Sequence, residues 1–73
     1  MVTTEMWIQE FENTPITEKR IQNEIDEVLG TISNERLWEK GAEDPTPHQE
    51  NILCLTEYLE YLYALWNKRY KEA

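Results

Sequence analysis

The apolar residues in the middle of the chain recur every three or four positions, which places them on one face of a helix. This stripe consists of Ile21, Ile25, Val28, Leu29, Ile32, Leu37 and Trp38. Thr17 is a suitable N-cap, because its hydroxyl can accept from a backbone N–H one turn further on. Gly41 follows Lys40 where helices commonly end in the left-handed conformation. The pattern predicts a helix from about Glu18 to about Lys40. A kink or break at Gly30 stays open, because glycine weakens a helix interior.

A second helical pattern begins beside the last prolines. Thr46, Pro47 and Gln49 occupy the N-cap, N1 and N3 positions of a capping box. The apolar residues that follow alternate at spacings of three and four: Ile52, Leu55, Leu59, Leu62 and Trp66. Further residues widen this seam: Tyr58, Tyr63, Leu65 and Tyr70. The pattern predicts a helix from Pro47 to about Lys71.

The short segment at residues 41–45 predicts that these two helices form an antiparallel hairpin. Two helices cannot enclose a core, so a third wall must come from the N-terminal segment or from another chain. Residues 1–14 precede Pro15, and a short helix there, capped by Thr3 or Thr4, would carry Met6, Trp7, Ile8 and Phe11. Its aromatic residues either close the core of the monomer or form an arm that inserts into a partner.

We therefore expect one all-α domain over residues 1–73, with an arm or short helix in residues 1–14 and a helical hairpin in residues 16–73. The chain has 73 residues and a mass of 8.8 kDa, and a core of this size rarely supplies more than ~3–5 kcal/mol. The single cysteine, Cys54, excludes an internal disulfide framework, and the single histidine, His48, argues against a zinc site. We predict that a homodimer completes the helical bundle.

No residue pattern indicates catalysis. His48 and Cys54 are six residues apart and do not share a helical face, which argues against a metal or thiol site. Carboxylates three residues apart, such as Glu24 and Glu27, would need a cleft with two different environments to act as acid and base. A hairpin of this size offers little cleft, and no glycine-rich phosphate loop or nucleophile elbow occurs. We expect a protein that is not an enzyme and that holds no metal or cofactor.

The sequence also bears on location. The start of the chain lacks the basic and apolar regions of a secretory signal. No apolar run approaches the ~18 residues of a membrane-spanning helix. A single thiol fits a reducing compartment, so we expect a cytoplasmic protein.

The charge balance is strongly acidic, with fifteen Asp and Glu residues against seven Lys and Arg residues and a formal net charge of −8. This argues against direct binding to nucleic acid or to an anionic membrane, because both need clustered bases. Few acids have a base four residues away, Arg20 with Glu24 being one such pair. Two interpretations stay open. The charge keeps a small domain soluble, or it docks on a protein with a basic surface, such as a nucleic-acid-binding protein.

Candidate partner-binding residues combine the acids with aromatic residues that could anchor an interface. The acids are Glu24, Asp26, Glu27, Glu35, Glu57 and Glu60. The aromatic anchors are Trp7 and Trp38 with Tyr58 and Tyr61, which we expect to project from the third helix. The aromatic-rich helix has a second interpretation, a core helix that is contacted on two sides.

In size and charge the chain resembles the small acidic proteins that bacterial viruses make to inhibit host enzymes, some of which imitate DNA. The resemblance implies a binding protein that blocks or modulates its partner by covering a basic surface. We expect its carboxylates to steer association, so that affinity falls as salt rises. The alternative is a structural module that self-associates as a four-helix bundle and needs no foreign partner.

Overall fold

The computed structural model of the protein describes residues 4–71, with side chains to Arg69. Three helices make up this range: α1 (Thr4–Glu12), α2 (Glu18–Gly41) and α3 (Thr46–Trp66), and a π-helical turn at Asn67–Lys71 continues α3. The described residues contain no strand. The all-α prediction and the approximate extents of the two long helices are therefore confirmed, with π-helical rather than α-helical hydrogen bonding in the last turn.

The N-cap predicted for α2 is present, because the Thr17 hydroxyl accepts from the backbone N–H of Arg20 at 3.2 Å. The helix continues through Gly30 without a break, so the split into two helices that the sequence left open does not occur. The prediction for Gly41 is wrong, since no described glycine has a positive φ. Gly41 remains helical, and extended backbone at Ala42 turns the chain away from the helix instead.

The capping box predicted for α3 is also wrong. Thr46 is the first helical residue, and its backbone N–H donates to Oδ1 of Asp44 at 3.1 Å. Asp side chains readily bond the backbone two residues on in this way, which leaves the Thr46 hydroxyl with no capping role. The side chain of Gln49 does not return to the helix start, because it donates to Oε1 of Glu39 in α2 at 3.2 Å.

The α2 and α3 helices pack against each other as the predicted antiparallel hairpin, and α1 packs on α3. All three contribute to the buried core, which consists of Phe11, Ile21, Val28, Ile32, Leu55, Tyr58 and Leu62. The third wall of the core is thus the N-terminal segment of the same chain. Thr3, the other residue considered as a cap for this segment, lies outside the described residues.

The α1 helix is fastened at both ends. At its start, the Thr4 hydroxyl donates to Oε2 of Glu57 at 3.1 Å and to the carbonyl of Cys54 at 3.3 Å. At its end, the Arg20 guanidinium donates to the carbonyls of Phe11 (3.0 Å), Thr14 (2.8 Å) and Pro15 (2.9 Å). It also lies 4.4 Å from the centre of the Phe11 ring, in a cation–π contact.

This use of Arg20 explains why the pair expected between Arg20 and Glu24 does not form within ion-pair distance. Among the described side chains, no Lys or Arg lies within 4 Å of a carboxylate, and the contact between His48 and Glu35 is an ion pair only when the imidazole is protonated. The C-terminus of a helix favours a cation, and α1 has no base in its own last turn. Arg20 supplies that charge from α2.

Candidate functional site

A groove of about 340 Å³ opens between α1 and α2, above α3. Apolar side chains form its floor: Trp7, Phe11, Val28, Leu55 and Tyr58. Polar side chains form its rim: Glu10, Glu24 and Glu27, with Arg20 and Thr31. We call this site the acidic groove. Its volume falls within the range of clefts that bind ligands or side chains.

Helical spacing explains why one side of α2 supplies both floor and rim. Glu24 precedes Glu27 by three residues and Val28 by four, and Thr31 follows Glu27 by four residues and Val28 by three, so the four lie on one side of the helix. The opposite wall comes from α1, because the Arg20 contacts fix the end of that helix beside α2. The groove therefore depends on how α1 docks.

Aromatic contacts hold the floor in place. The rings of Trp7 and Tyr58 are 5.7 Å apart and inclined at 49°, and Tyr58 stacks on Tyr61 at 6.3 Å. Tyr58 is only 5% exposed. The expectation that it projects from α3 as an anchor is therefore wrong, because it faces α1 and α2 and belongs to the core. Trp7 is half-buried and leaves part of its ring open to the groove.

Three carboxylates share the rim with one cation, Arg20. Burial raises the pKa of the Glu24 carboxyl, and the nearby charge of Glu27 raises it further, although a hydrogen bond with Tyr58 and the charge of Arg20 act in the opposite direction. Burial and the Glu24 charge likewise raise the pKa of the Tyr58 hydroxyl. A cation bound between these carboxylates would therefore stabilise their ionised forms.

Glu35 is not the surface carboxylate that the sequence suggested. It is 8% exposed, and its Oε2 lies 2.7 Å from Nδ1 of His48. Asn51 donates to its other oxygen at 3.5 Å. The helical pattern places Glu35 seven residues after Val28, on the buried face of α2. That spacing could have indicated a buried acid, but its partners on α3 could not be identified without the register of the hairpin.

The remaining candidate acids lie outside the acidic groove. Asp26 borders a second groove on the other side of the hairpin. Glu57 accepts the bond from Thr4 and helps to hold α1, while Glu60 is exposed on α3. The structure thus brings Glu24 and Glu27 together and separates the other acids from them.

The other aromatic candidates also lie apart from the groove. Trp38 is 57% exposed near the end of α2, with its ring 6.2 Å from that of His48. The Tyr61 hydroxyl donates to Oε1 of Glu12 at 3.1 Å. Burial and this contact with Glu12 raise the pKa of Tyr61. Tyr61 therefore helps to seat α1 on α3.

The sequence missed two parts of the groove. Glu10 was not among the candidate acids, and Arg20 was assigned to an ion pair within α2. The spacing of Glu10 from Trp7 and Phe11 places all three on neighbouring faces of α1, which is a signal that could have been used. The turn of Arg20 back toward α1 has no counterpart in the local sequence pattern.

The second groove, of about 280 Å³, lies on the side of the hairpin away from the acidic groove. It is lined by Gln22, Ile25, Asp26, Tyr63 and Trp66. Tyr63 is 44% exposed there. The lining combines two aromatic rings with an aliphatic side chain, and Asp26 is the acid among these residues.

Two further searches concern only the described part of the chain. Within residues 4–71, no three His, Cys, Asp or Glu side chains are grouped as metal ligands. No helix in that range combines the length and the apolar character needed to cross a membrane.

Comparison with protein families finds no match for this chain, and comparisons with curated proteins and with solved structures also find none.

Proposed function

We propose that this chain is a non-enzymatic binding protein that takes a basic segment of another protein into its acidic groove. The observation that carries the proposal is an apolar floor framed by three carboxylates, Glu10, Glu24 and Glu27. The environment of Glu24 supports it, because burial raises the pKa of this carboxyl, and a cation bound beside it would favour the ionised form.

The chemistry of the groove favours a ligand with two kinds of side chain. Trp7 and Val28 on the floor would contact apolar side chains, while the rim would bind lysine or arginine. A basic amphipathic helix offers both on neighbouring faces, and grooves between helices commonly take such a ligand. The net charge of −8 would attract it over a distance, and salt would screen that attraction.

The partner we expect is a protein with a basic surface, such as a nucleic-acid-binding protein, and the effect on it is occlusion. A surface built from Lys and Arg to hold phosphates would be covered by the bound chain and closed to nucleic acid. The chain itself would bind neither nucleic acid nor a membrane. This activity fits an inhibitor or nucleic-acid mimic that acts in the cytoplasm.

The test is a titration of the protein with a synthetic amphipathic helical peptide of leucine and lysine, over a range of salt concentrations. The groove variant is E10Q/E24Q/E27Q, and the matched control is E43Q/E50Q/E60Q, which removes the same charge from exposed positions outside the groove. We expect the groove variant to weaken binding at least about tenfold, given typical energies of exposed charge pairs. We expect the control to weaken binding much less.

Three outcomes would overturn the proposal. Failure of the peptide to bind would leave the groove without a cationic ligand. Equal weakening by both triple variants would indicate attraction to net charge alone. Affinity that does not change with salt would remove the role assigned to the carboxylates.

A second candidate function is self-association as a structural module, in which a homodimer forms a four-helix bundle. The uncovered side of the hairpin favours it, because Leu29 is 42% exposed and Tyr63 is 44% exposed there. This function needs no foreign partner and makes thermal stability depend on protein concentration.

A further inference from the structure

The α1 helix covers one side of the seam between α2 and α3 and leaves the other side open. On α2, Glu24 and Glu27 flank the buried positions toward α1, whereas Ile25 and Leu29 flank them on the opposite side. On α3 the same open side carries Leu59, Tyr63 and Trp66. We call the set Ile25, Leu29, Leu59, Tyr63 and Trp66 the back face.

The exposed area of the chain is large for its mass. The accessible surface is 5446 Å², whereas a compact monomer of 8.8 kDa should expose roughly 4,800 Å². A standard interface buries roughly 800 Å² on each partner. The back face is an apolar surface where such an interface can form.

The pattern of charge along α2 indicates what can bind to the back face. A stripe of residues that includes Ile25 and Leu29 of the back face runs the length of α2. Its members follow at spacings of three and four residues: Glu18, Gln22, Ile25, Leu29, Ser33, Arg36 and Lys40. It begins with an acid and ends with two bases. Leu29 stands at its midpoint, with Glu18 eleven residues before it and Lys40 eleven residues after it.

A stripe with this symmetry is complementary to itself when a second copy lies antiparallel on it. Leu29 then meets Leu29 of the second copy, while Glu18 meets Lys40 and Gln22 meets Arg36. A two-fold axis that passes through the Leu29 contact, perpendicular to α2, generates the Glu18–Lys40 and Gln22–Arg36 contacts twice, as an isologous interface requires. Among the described side chains, neither Glu18 nor Lys40 is engaged in an ion pair within one chain.

We propose that the back face binds a second copy of this chain, antiparallel and centred on Leu29. The assignment of this surface rests on the proposed self-association and is independent of the ligand of the acidic groove. In this dimer α2 and α3 of both copies form a four-helix bundle. The two α1 helices lie on its outside, so both acidic grooves stay open.

The first test measures mass in solution by light scattering, from low micromolar to near-millimolar concentration. We expect the wild-type chain to be a dimer at high concentration and Leu29→Glu to be a monomer throughout. The matched control is Leu53→Glu, which changes a leucine that is 65% exposed and lies outside the back face. It should dimerise like the wild type, and circular dichroism should show the same helix content for all three proteins.

The second test reverses the end charges. Glu18→Lys and Lys40→Glu should each weaken dimerisation about tenfold, because each change places like charges together at two symmetric points. The double variant E18K/K40E should restore the wild-type dissociation constant. Rescue of this kind cannot result from misfolding or from the net charge.

The outcomes of these tests distinguish failure of the proposed surface from failure of the proposed self-association. A wild-type chain that stays monomeric at all concentrations overturns both. A wild-type dimer that Leu29→Glu leaves intact, or that Leu53→Glu disrupts equally, overturns the back face but leaves self-association standing. A dimer that Leu29→Glu abolishes but E18K/K40E does not restore overturns the antiparallel arrangement.

Discussion

Nδ1 of His48 lies 2.7 Å from Oε2 of Glu35, and this contact joins α2 to α3 near the closed end of the hairpin. Because a carboxylate only accepts hydrogen bonds, we assign the proton to Nδ1 of the imidazole. Asn51 donates to the second oxygen of Glu35 at 3.5 Å. Two side chains of α3 thus satisfy an acid that α2 has buried.

The first prediction concerns this pair. His48→Ala should lower the free energy of unfolding by about 1–3 kcal/mol, because it leaves a buried carboxylate without its closer donor. The double variant E35M/H48L removes both polar groups and should recover most of the loss. Urea unfolding measures the free energy of unfolding of both variants, and Glu50→Gln, a change at an exposed position, is the control. A double variant that is less stable than His48→Ala would contradict this explanation.

The second prediction concerns the docking of α1 by Arg20. Arg20→Lys should destabilise α1 by about 1–2 kcal/mol, because one ammonium cannot reproduce the planar contacts to three carbonyls and the Phe11 ring. Hydrogen exchange should then be faster in α1 while the middle of α2 stays protected. Lys19→Met removes an exposed neighbouring charge and serves as the control. Unchanged protection of α1 in Arg20→Lys would show that other contacts hold this helix.

The third prediction concerns pH and Glu24. Burial and Glu27 raise its pKa in the folded protein above the ordinary value of 4.5, so the folded protein binds this proton more tightly than the unfolded chain does. The stability from this group is fully present below pH 4.5 and is lost as the pH rises through the raised value. Glu24→Gln removes the charge and should be at least as stable as the wild type at neutral pH.

Denaturant unfolding at several pH values measures this difference. The advantage of Glu24→Gln should shrink on acidification, because the wild-type carboxyl becomes neutral as well. Glu60→Gln, which removes an exposed carboxylate, should show a smaller dependence on pH. A Glu24→Gln variant that becomes less stable than the wild type as the pH rises would mean that the Glu24 charge stabilises the fold.

The fourth prediction concerns the start of α3. Hydrogen bonds from the Thr46 hydroxyl and backbone N–H lower the pKa of Asp44 below its ordinary value of 3.8. The stability from Asp44 is therefore present above pH 3.8 and is lost as the pH falls through the lowered value. Asp44→Ala should reduce the melting temperature at neutral pH, with a gap to the wild type that closes in acid. Glu43→Ala is the exposed neighbouring control, and an equal reduction there would contradict a specific role for Asp44.

The helices could be predicted because the information is local. The spacing from Ile21 to Ile32 and from Ile52 to Trp66 defines one apolar face each, and Thr17 caps α2 as its side chain predicts. Phe11 lies in the core, as expected if the N-terminal segment closes the core of the monomer rather than forming an arm. The apolar face of a helix and its N-cap depend on residues within one or two helical turns, so the sequence pattern shows them directly.

The groove was only partly predictable, because it depends on contacts between residues distant in sequence. Glu24 and Glu27 could be selected from their spacing on one helix, although the sequence pairs Glu24 with Arg20. The burial of Glu35 against His48 needed the register of the hairpin, and the position of Arg20 needed the path of α1. The failed capping box has the same origin, since Gln49 had a competing acceptor in Glu39 on the facing helix.

The measurement that tests the central claim most directly is a map of where a basic ligand binds. NMR chemical-shift changes would be recorded on the labelled protein during titration with the amphipathic peptide of leucine and lysine. The proposal predicts that the largest changes fall on Trp7, Val28 and Tyr58, in the floor of the acidic groove. Changes spread evenly over all exposed acids, or concentrated at Ile25 and Tyr63 on the back face, would contradict it.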